Sequence, residues 1–240
     1  MYVVLCVVLY FSQRSLIYFP QKSSSPLGTS VMRLKNEVGE LVVTRRDGAG
    51  NRALIYFGGN AENVDASLSV LEKAFPDETI YLAHYRGYGG SAGTPSEVAL
   101  QSDARLLFDA LQPQHEHITV LGRSLGSGVA TYLASTRPVS QLILVTPYNS
   151  ILELAQQQFP LFPVSLLLQD RFESWKYAAQ VRAPTLLITA DNDEIIPSES
   201  SNKLFGAFVQ TKAKLHVIKG AGHNSISQRS DYIVALRAKS

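Results

Sequence analysis

From residue 40 onward, short continuous runs of apolar residues alternate with longer stretches in which apolar residues recur at helical spacing. Continuous apolar runs are typical of strands that are buried on both faces of a parallel sheet. The pattern therefore predicts an α/β protein with a mostly parallel central sheet and helices on both faces. The predicted strands are 41–44, 53–57, 79–83, 118–121, 142–146, 185–189 and 215–218, and the predicted helices are about 62–74, 96–111, 129–134, 198–208 and 226–238.

One segment, about 150–180, breaks this alternation. It is rich in Leu and Phe and contains no clear strand. It follows a predicted strand, so we expect a short helical cap insertion over the carboxyl edge of the sheet, where parallel sheets carry their ligand sites. The organisation expected is an apolar N-terminal segment and lead-in over 1–20, followed by one domain over 21–240 that contains the cap.

The N-terminal segment is almost wholly apolar from Tyr2 to Phe11. A helix needs about 20 apolar residues to span a bilayer, and this run has roughly half of that. The sequence favours a membrane anchor or its remnant, including the trailing half of an anchor that begins upstream, and the alternative is a segment that packs on the domain or lies in the membrane interface. A removable signal peptide is not expected. Arg14 and Lys22 weakly favour a membrane-anchored domain on the cytoplasmic side, and a cytoplasmic protein is the alternative.

Charge and cysteine content exclude several classes of protein. The chain has 22 Lys and Arg against 20 Asp and Glu, without a basic run interleaved with aromatic residues, so a nucleic-acid partner is not expected. The single cysteine, Cys6, excludes an internal disulfide framework and a multi-thiolate metal site. His115 and His117 have no carboxylate or thiol partners nearby in sequence, so no metal site is predicted.

The strongest candidate for chemistry is Gly122-Arg123-Ser124-Leu125-Gly126, which lies between a predicted strand and a predicted helix. A serine on such a tight turn stands above the edge of the sheet, where a base can reach it. The flanking glycines are expected because the turn leaves no room for side chains. We predict that Ser124 is a nucleophile.

A serine hydroxyl needs a neutral base within hydrogen-bond reach. Of the five histidines, only His223 lies in a loop of small residues at the carboxyl end of a predicted strand. His223 is therefore the predicted base, and surface or structural roles are expected for the other four.

The base needs an acidic partner that orients it, and the loop after the preceding strand offers three carboxylates. Asp193 is the first choice, Asp191 the alternative and Glu194 a third. The chain order Ser124, Asp193, His223 is that of α/β hydrolases.

The oxyanion formed during acyl transfer needs hydrogen-bond donors that are already in place. The backbone N–H of Leu125 is one candidate. The loop 58–60, which follows a predicted strand, offers the N–H of Asn60 as first choice and that of Gly59 as second.

These motifs together resemble the alpha/beta-hydrolase superfamily, from about residue 14 to the end. More narrowly, the chain resembles a branch of small, often N-terminally membrane-anchored serine hydrolases related to protein depalmitoylases. Two positions depart from the pattern of that branch: Gly58 stands where many relatives have His, and His84 where they often have Asp. The matching blocks are Gln13-Arg14-Ser15-Leu16-Ile17-Tyr18-Phe19-Pro20, Phe57-Gly58-Gly59-Asn60-Ala61-Glu62-Asn63, Tyr85-Arg86-Gly87-Tyr88-Gly89 with Ser91, Gly93 and Pro95-Ser96-Glu97, Gly122 to Gly126, Asp193 with Ile196-Pro197, and Gly222-His223-Asn224.

The resemblance implies a cofactor-free serine hydrolase that cleaves an ester or thioester through an acyl-serine intermediate, with Ser124, Asp193 and His223 as its triad. Its substrate would be a small molecule or an acylated protein, and its N-terminus would associate with a membrane. A serine peptidase, an acyltransferase and a catalytically inactive membrane-associated interaction module are the alternatives. For Arg86, a buried structural ion pair is favoured over substrate binding.

Overall fold

The computed structural model describes residues 1–238, so the last two residues of the expected domain, 239 and 240, lie outside the described part. Its centre is an eight-stranded sheet in the order β1-β2-β4-β3-β5-β6-β7-β8. The strands are β1 (Ser30–Asn36), β2 (Gly39–Arg46), β3 (Arg52–Phe57), β4 (Thr79–Ala83), β5 (His117–Arg123), β6 (Gln141–Val145), β7 (Thr185–Ala190) and β8 (Ala213–Ile218).

Only β2 runs against its neighbours, β1 and β4, and all the other pairs in the sheet are parallel. The carboxyl ends of β3 to β8 therefore meet at one edge. The expectation of a mostly parallel sheet covered by helices is confirmed.

Helices cover both faces of this sheet. Buried residues of α3, α4 and α8 form one apolar core with one face, and buried residues of α2 and α9 form a second core with the other. The helices are α1 (Tyr2–Ile17), α2 (Leu68–Ala74), α3 (Glu97–Leu111), α4 (Leu125–Thr136), α5 (Ile151–Gln158), α6 (Val164–Leu167), α7 (Ser174–Ala178), α8 (Ser198–Ala207) and α9 (Ser230–Leu236).

Three elements differ from the sequence-based prediction. Strand β1 was not predicted, because it lies at the sheet edge and its sequence is mostly polar and exposed. The helix expected over 62–74 begins as a 3-10 turn, Val64–Ser67, before α2. The helix expected over 226–238 is broken at Arg229, whose backbone is extended (φ −78°, ψ 140°), so that a 3-10 turn precedes α9.

Helix α1 lies against the cap, the segment that contains α5, α6 and α7. The ring of Tyr2 stacks on Phe162 with centroids 5.8 Å apart. The Gln13 amide donates to the Leu167 carbonyl at 3.0 Å and accepts from the backbone N–H of Gln169 at 2.7 Å. These contacts fix α1 on the cap along much of its length.

The opposite face of α1 is exposed and apolar. Val3 is 72% exposed and Phe11 80%. Within residues 1–238, no helix combines the length and the apolar character that crossing a membrane requires.

Candidate active site

Ser124 lies at the sharp turn between β5 and α4. Its φ of +50° and ψ of −118° place it outside the favoured backbone regions for a residue with a side chain. A Cβ on Gly126 would lie 2.0 Å from the carbonyl oxygen of Phe57, and a Cβ on Gly122 would lie 2.3 Å from the carbonyl oxygen of Gly126. The expected lack of room for side chains at both glycines is confirmed.

His223 reaches Ser124 from the loop after β8. Its Nε2 lies 3.0 Å from the Ser124 Oγ, and the residue is only 4% exposed. The backbone N–H of His223 donates to the Glu194 carboxylate at 3.0 Å, which fixes the loop. The imidazole is thus held against the serine hydroxyl and away from bulk water.

Asp193 lies on the other side of the imidazole, after β7. Its Oδ2 is 2.9 Å from the His223 Nδ1, and its Oδ1 accepts from the N–H groups of Ile195 and Ile196 at 2.9 and 2.7 Å. These two donors fix the Asp193 carboxylate in the position where it contacts His223 Nδ1.

The two other carboxylates of this loop do not take that position. Asp191 is exposed, and Glu194 binds the backbone of His223 rather than its ring. The structure therefore brings Ser124, His223 and Asp193 together in one hydrogen-bonded row.

The candidate oxyanion donors differ in availability. Within residues 1–238, the N–H groups of Leu125 and Asn60 make no hydrogen bond. The N–H of Gly59 instead donates to the Glu62 Oε2 at 2.8 Å. Gly59, the second choice from the sequence, is therefore already engaged, and Leu125 and Asn60 are the free donors beside Ser124.

Asn60 is fixed by hydrogen bonds to distant parts of the chain. Its side-chain Nδ2 donates to the Ile17 carbonyl at 3.1 Å. Its own carbonyl accepts from the Tyr88 hydroxyl at 2.7 Å and from the Phe19 N–H at 3.1 Å. The position of this loop thus depends on the end of α1 and on the residues that follow it.

Glu62 connects the loop 58–60, which carries the candidate oxyanion donors, to the turn that carries Ser124. Its Oε2 accepts from the Arg123 guanidinium at 3.0 Å, and its Oε1 accepts from the hydroxyls of Tyr56 and Ser67 at 2.5 and 2.6 Å. Burial first, and then the Glu62 carboxylate, raise the pKa of Tyr56, so the phenol stays a donor. Sequence reasoning missed this cluster because Glu62 and Arg123 lie far apart in the chain.

A cavity of about 690 Å³ opens above Ser124 and His223. Leu125 and Asn60 line it, so the two residues with free N–H groups border the same cavity as Ser124. Within residues 1–238, no cluster of His, Cys, Asp and Glu could hold a metal ion. The remaining apolar lining includes Leu16, Ile17, Ile151, Leu154, Ile195 and Ile196.

The other histidines lie away from this cavity. His84 is buried beside Thr44 and Asp65, His115 contacts the Tyr81 hydroxyl, and His117 and His216 are exposed.

Arg86 is also structural, as favoured from the sequence. It is 5% exposed and donates twice to Asp103, at 2.8 and 2.9 Å, and once to Glu37 at 2.6 Å. It does not line the cavity above Ser124.

Comparison with known proteins gives relatives over most of the chain. No model of a protein family matches it. An uncharacterized protein of Mycobacterium tuberculosis is 33% identical over 232 residues, which cover 90% of this chain and 82% of that protein. Alpha/beta hydrolase domain-containing protein 17B of Xenopus laevis is 29% identical over 162 residues, which cover 66% of this chain and 54% of that protein.

The fold has solved counterparts. An esterase of Pyrococcus furiosus superposes with a TM-score of 0.68 at 17% identity, over 88% of this chain and 93% of that one. At this identity the likeness concerns the fold alone.

Proposed function

Because the chain belongs to the alpha/beta-hydrolase superfamily, we propose that it is a serine hydrolase that cleaves the ester or thioester bond of an acylated substrate. The observation that carries this proposal is the hydrogen-bonded row of Ser124, His223 and Asp193. A small molecule and an acylated protein are the two kinds of substrate that we propose.

In the first half of the reaction, His223 Nε2 accepts the Ser124 proton while Oγ attacks the carbonyl carbon of the substrate. The tetrahedral oxyanion accepts hydrogen bonds from the N–H groups of Leu125 and Asn60. When the intermediate collapses, the imidazolium donates its proton to the leaving alcohol or thiol, and the acyl group stays on Ser124. Asp193 holds the ring in the tautomer that both transfers need.

In the second half, a water molecule takes the place of the leaving group. His223 accepts a proton from this water, which attacks the acyl carbon on Ser124. The same two N–H groups stabilise the second oxyanion. Collapse of this intermediate breaks the ester to Ser124, returns the proton to Oγ and releases a carboxylic acid.

The lining of the cavity favours an acyl substrate. Leu16, Ile17, Ile151 and Leu154 form an apolar wall beside Ser124. Burial of an alkyl chain against such a wall favours binding by about 0.8 kcal/mol for each methylene. The wall therefore favours an ester or thioester of an apolar acid, rather than a polar peptide, as the substrate.

We also propose that the exposed face of α1 contacts a membrane surface. Val3, Val4, Val8 and Phe11 are each more than half exposed on this face, and Leu161 of the cap, which lies beside Tyr2, is 81% exposed. Contiguous exposed apolar surface of this kind marks contact with a membrane or a protein. Flotation with liposomes, compared between the wild type and Phe11→Glu, tests this contact; protein that never floats would contradict it.

The hydrolase proposal is tested by labelling the purified protein with a fluorophosphonate and mapping the labelled residue by mass spectrometry. We expect labelling at Ser124 that is lost in Ser124→Ala and falls at least about hundredfold in His223→Ala. Asp193→Asn should reduce the labelling rate as well. The matched controls, His216→Ala and Asp191→Asn, should label like the wild type, and a folded wild type that does not label would overturn the proposal.

A further inference from the structure

A second, smaller cavity lies next to the one above Ser124. The second cavity has a volume of about 200 Å³ and lies between α1 and the cap helices α5 and α6. Leu16, Ile17 and Ile151 line both cavities, so the two are neighbours that share these side chains as a wall. We call the second cavity the α1 crevice.

The α1 crevice is almost entirely apolar. Within residues 1–238, Gln13 is the one polar residue that lines it, and the amide of Gln13 is already engaged by the Leu167 carbonyl and the Gln169 N–H. This side chain is therefore not free to bind a polar ligand, and a cavity of this character does not hold ordered water well. Apolar lining residues include Leu9, Ala155, Phe159, Phe162, Val164 and Leu168.

From these observations we propose that the α1 crevice binds the alkyl chain of the acyl group that is attached to Ser124. This inference rests on the proposed hydrolase function and adds the substrate class, a medium-chain or long-chain acyl ester or thioester. The carbonyl lies between Ser124 and the Leu125 and Asn60 N–H groups. The chain then passes Ile17 and Ile151 and enters the gap between α1 and α5.

This arrangement makes α1 one wall of the substrate site. Leu9 lies on the face of α1 turned toward the cap, and Ala155 lies on α5 across the crevice. Each methylene that leaves water for this gap should raise kcat/KM about fourfold until the crevice is full.

The test fills the crevice from either side. Ala155→Phe fills it from α5, and Leu9→Trp fills it from α1. The matched controls place the same side chains outward on the same helices, as Gln157→Phe and Ser15→Trp, since both positions are exposed. For all five proteins, kcat/KM is measured with p-nitrophenyl acetate, butyrate, octanoate and laurate, and circular dichroism establishes that each is folded.

We expect the wild type and both controls to prefer octanoate or laurate over acetate. In Ala155→Phe and Leu9→Trp, the ratio of kcat/KM for laurate to that for acetate should fall at least about tenfold, because the filled crevice no longer accepts the longer chain.

An unchanged chain-length profile in both filled variants, with acetate still hydrolysed, would overturn the crevice as the acyl site and leave the hydrolase function standing. A wild type that hydrolyses none of the esters and does not react with fluorophosphonate would overturn the hydrolase function itself. The two failures are therefore distinguishable.

Discussion

The side-chain amide of Asn60 donates to the carbonyl oxygen of Ile17 at 3.1 Å. One partner belongs to the loop that offers an oxyanion donor, and the other is the last residue of α1. The N-terminal helix is thereby joined to the candidate active site by this hydrogen bond, in addition to its contacts with the cap. The end of α1 is therefore part of the surroundings of that site.

Loss of this link should affect turnover more than stability. In Asn60→Ala the backbone N–H that we propose as oxyanion donor is retained, but the loop loses its contact with α1. We expect kcat to fall about tenfold with a smaller change in KM, because the oxyanion forms only during the reaction. Steady-state kinetics and a melting curve check this, and an unchanged kcat would show that the Tyr88 hydroxyl and the Phe19 N–H suffice to hold the loop.

The glycines of the nucleophile turn should tolerate no side chain. In Gly126→Ala the new Cβ would meet the Phe57 carbonyl oxygen at 2.0 Å, and backbone atoms cannot move aside as a flexible side chain can. We expect a loss of about 3 kcal/mol or more in the free energy of unfolding, measured with urea.

Gly206→Ala is the matched control for this substitution. Gly206 lies in α8 with no atom within 4 Å of a Cβ, so alanine there should leave stability unchanged or raise it by up to about 1 kcal/mol. Equal stability of the two variants would contradict the steric account of the turn.

The ion pair between Glu62 and Arg123 should contribute far more to the stability of the fold than a surface ion pair does. The two side chains are 9% and 16% exposed, so Glu62→Gln leaves a largely buried cation without its partner. We expect a loss of about 3 kcal/mol in stability and a lower kcat, because Glu62 also holds the Gly59 N–H.

Asp109→Asn is the comparison for that pair. Asp109 binds Arg137 on the surface, where the two side chains are 47% and 29% exposed. Its loss should cost at most about 1 kcal/mol. Urea unfolding of both variants gives the two values, and similar losses would argue that Glu62 acts as an ordinary surface carboxylate.

Asp65 should make stability depend on acid pH. Its burial raises the pKa, but hydrogen bonds from His84, Ser23 and Thr44 outweigh burial and hold the pKa of Asp65 well below its ordinary value. The unfolded chain therefore binds the proton more readily than the folded one does. The stabilisation is complete above the unfolded pKa of about 4 and is lost as pH falls through the lower, folded pKa.

The corresponding variant is Asp65→Asn. At pH near 7 we expect it to be about 2 to 4 kcal/mol less stable than the wild type, and this difference should shrink as the pH falls below about 4. Asp77→Asn, at an exposed position, should differ little from the wild type. A difference for Asp65→Asn that stays constant over the same range would contradict the lowered pKa.

Much of the fold could be predicted from the sequence, because buried parallel strands such as β3 and β6 are continuous apolar runs. Ser124 and Asp193 were accessible for a related reason, because each follows such a strand, β5 or β7. His223 follows the more exposed β8, and the carboxyl ends of all three strands meet at one edge. Strand β1 could not be predicted in this way, since an edge strand buries too little to require apolar residues.

The parts of the site that were missed depend on long-range contacts. Neither the Glu62–Arg123 pair nor the bond between Asn60 and Ile17 leaves a local pattern, because the partners are separated by 61 and 43 positions in the chain. The N–H of Gly59 is already hydrogen-bonded, and this was missed although its partner is close in sequence. A carboxylate three positions later folds back onto it, and sequence spacing alone does not distinguish that from a free donor.

The close approach of Gly126 to the Phe57 carbonyl has a consequence for how this molecule can change over evolution. The turn that carries Ser124 rests on the end of the strand that leads into the loop 58–60, and the contact is made by backbone on both sides. Substitutions in the cap can therefore reshape the wall of the cavity above Ser124 while this backbone contact stays the same. The backbone contact and the cap side of the cavity wall belong to different segments of the chain, so the proposed acyl site can diversify through side chains alone.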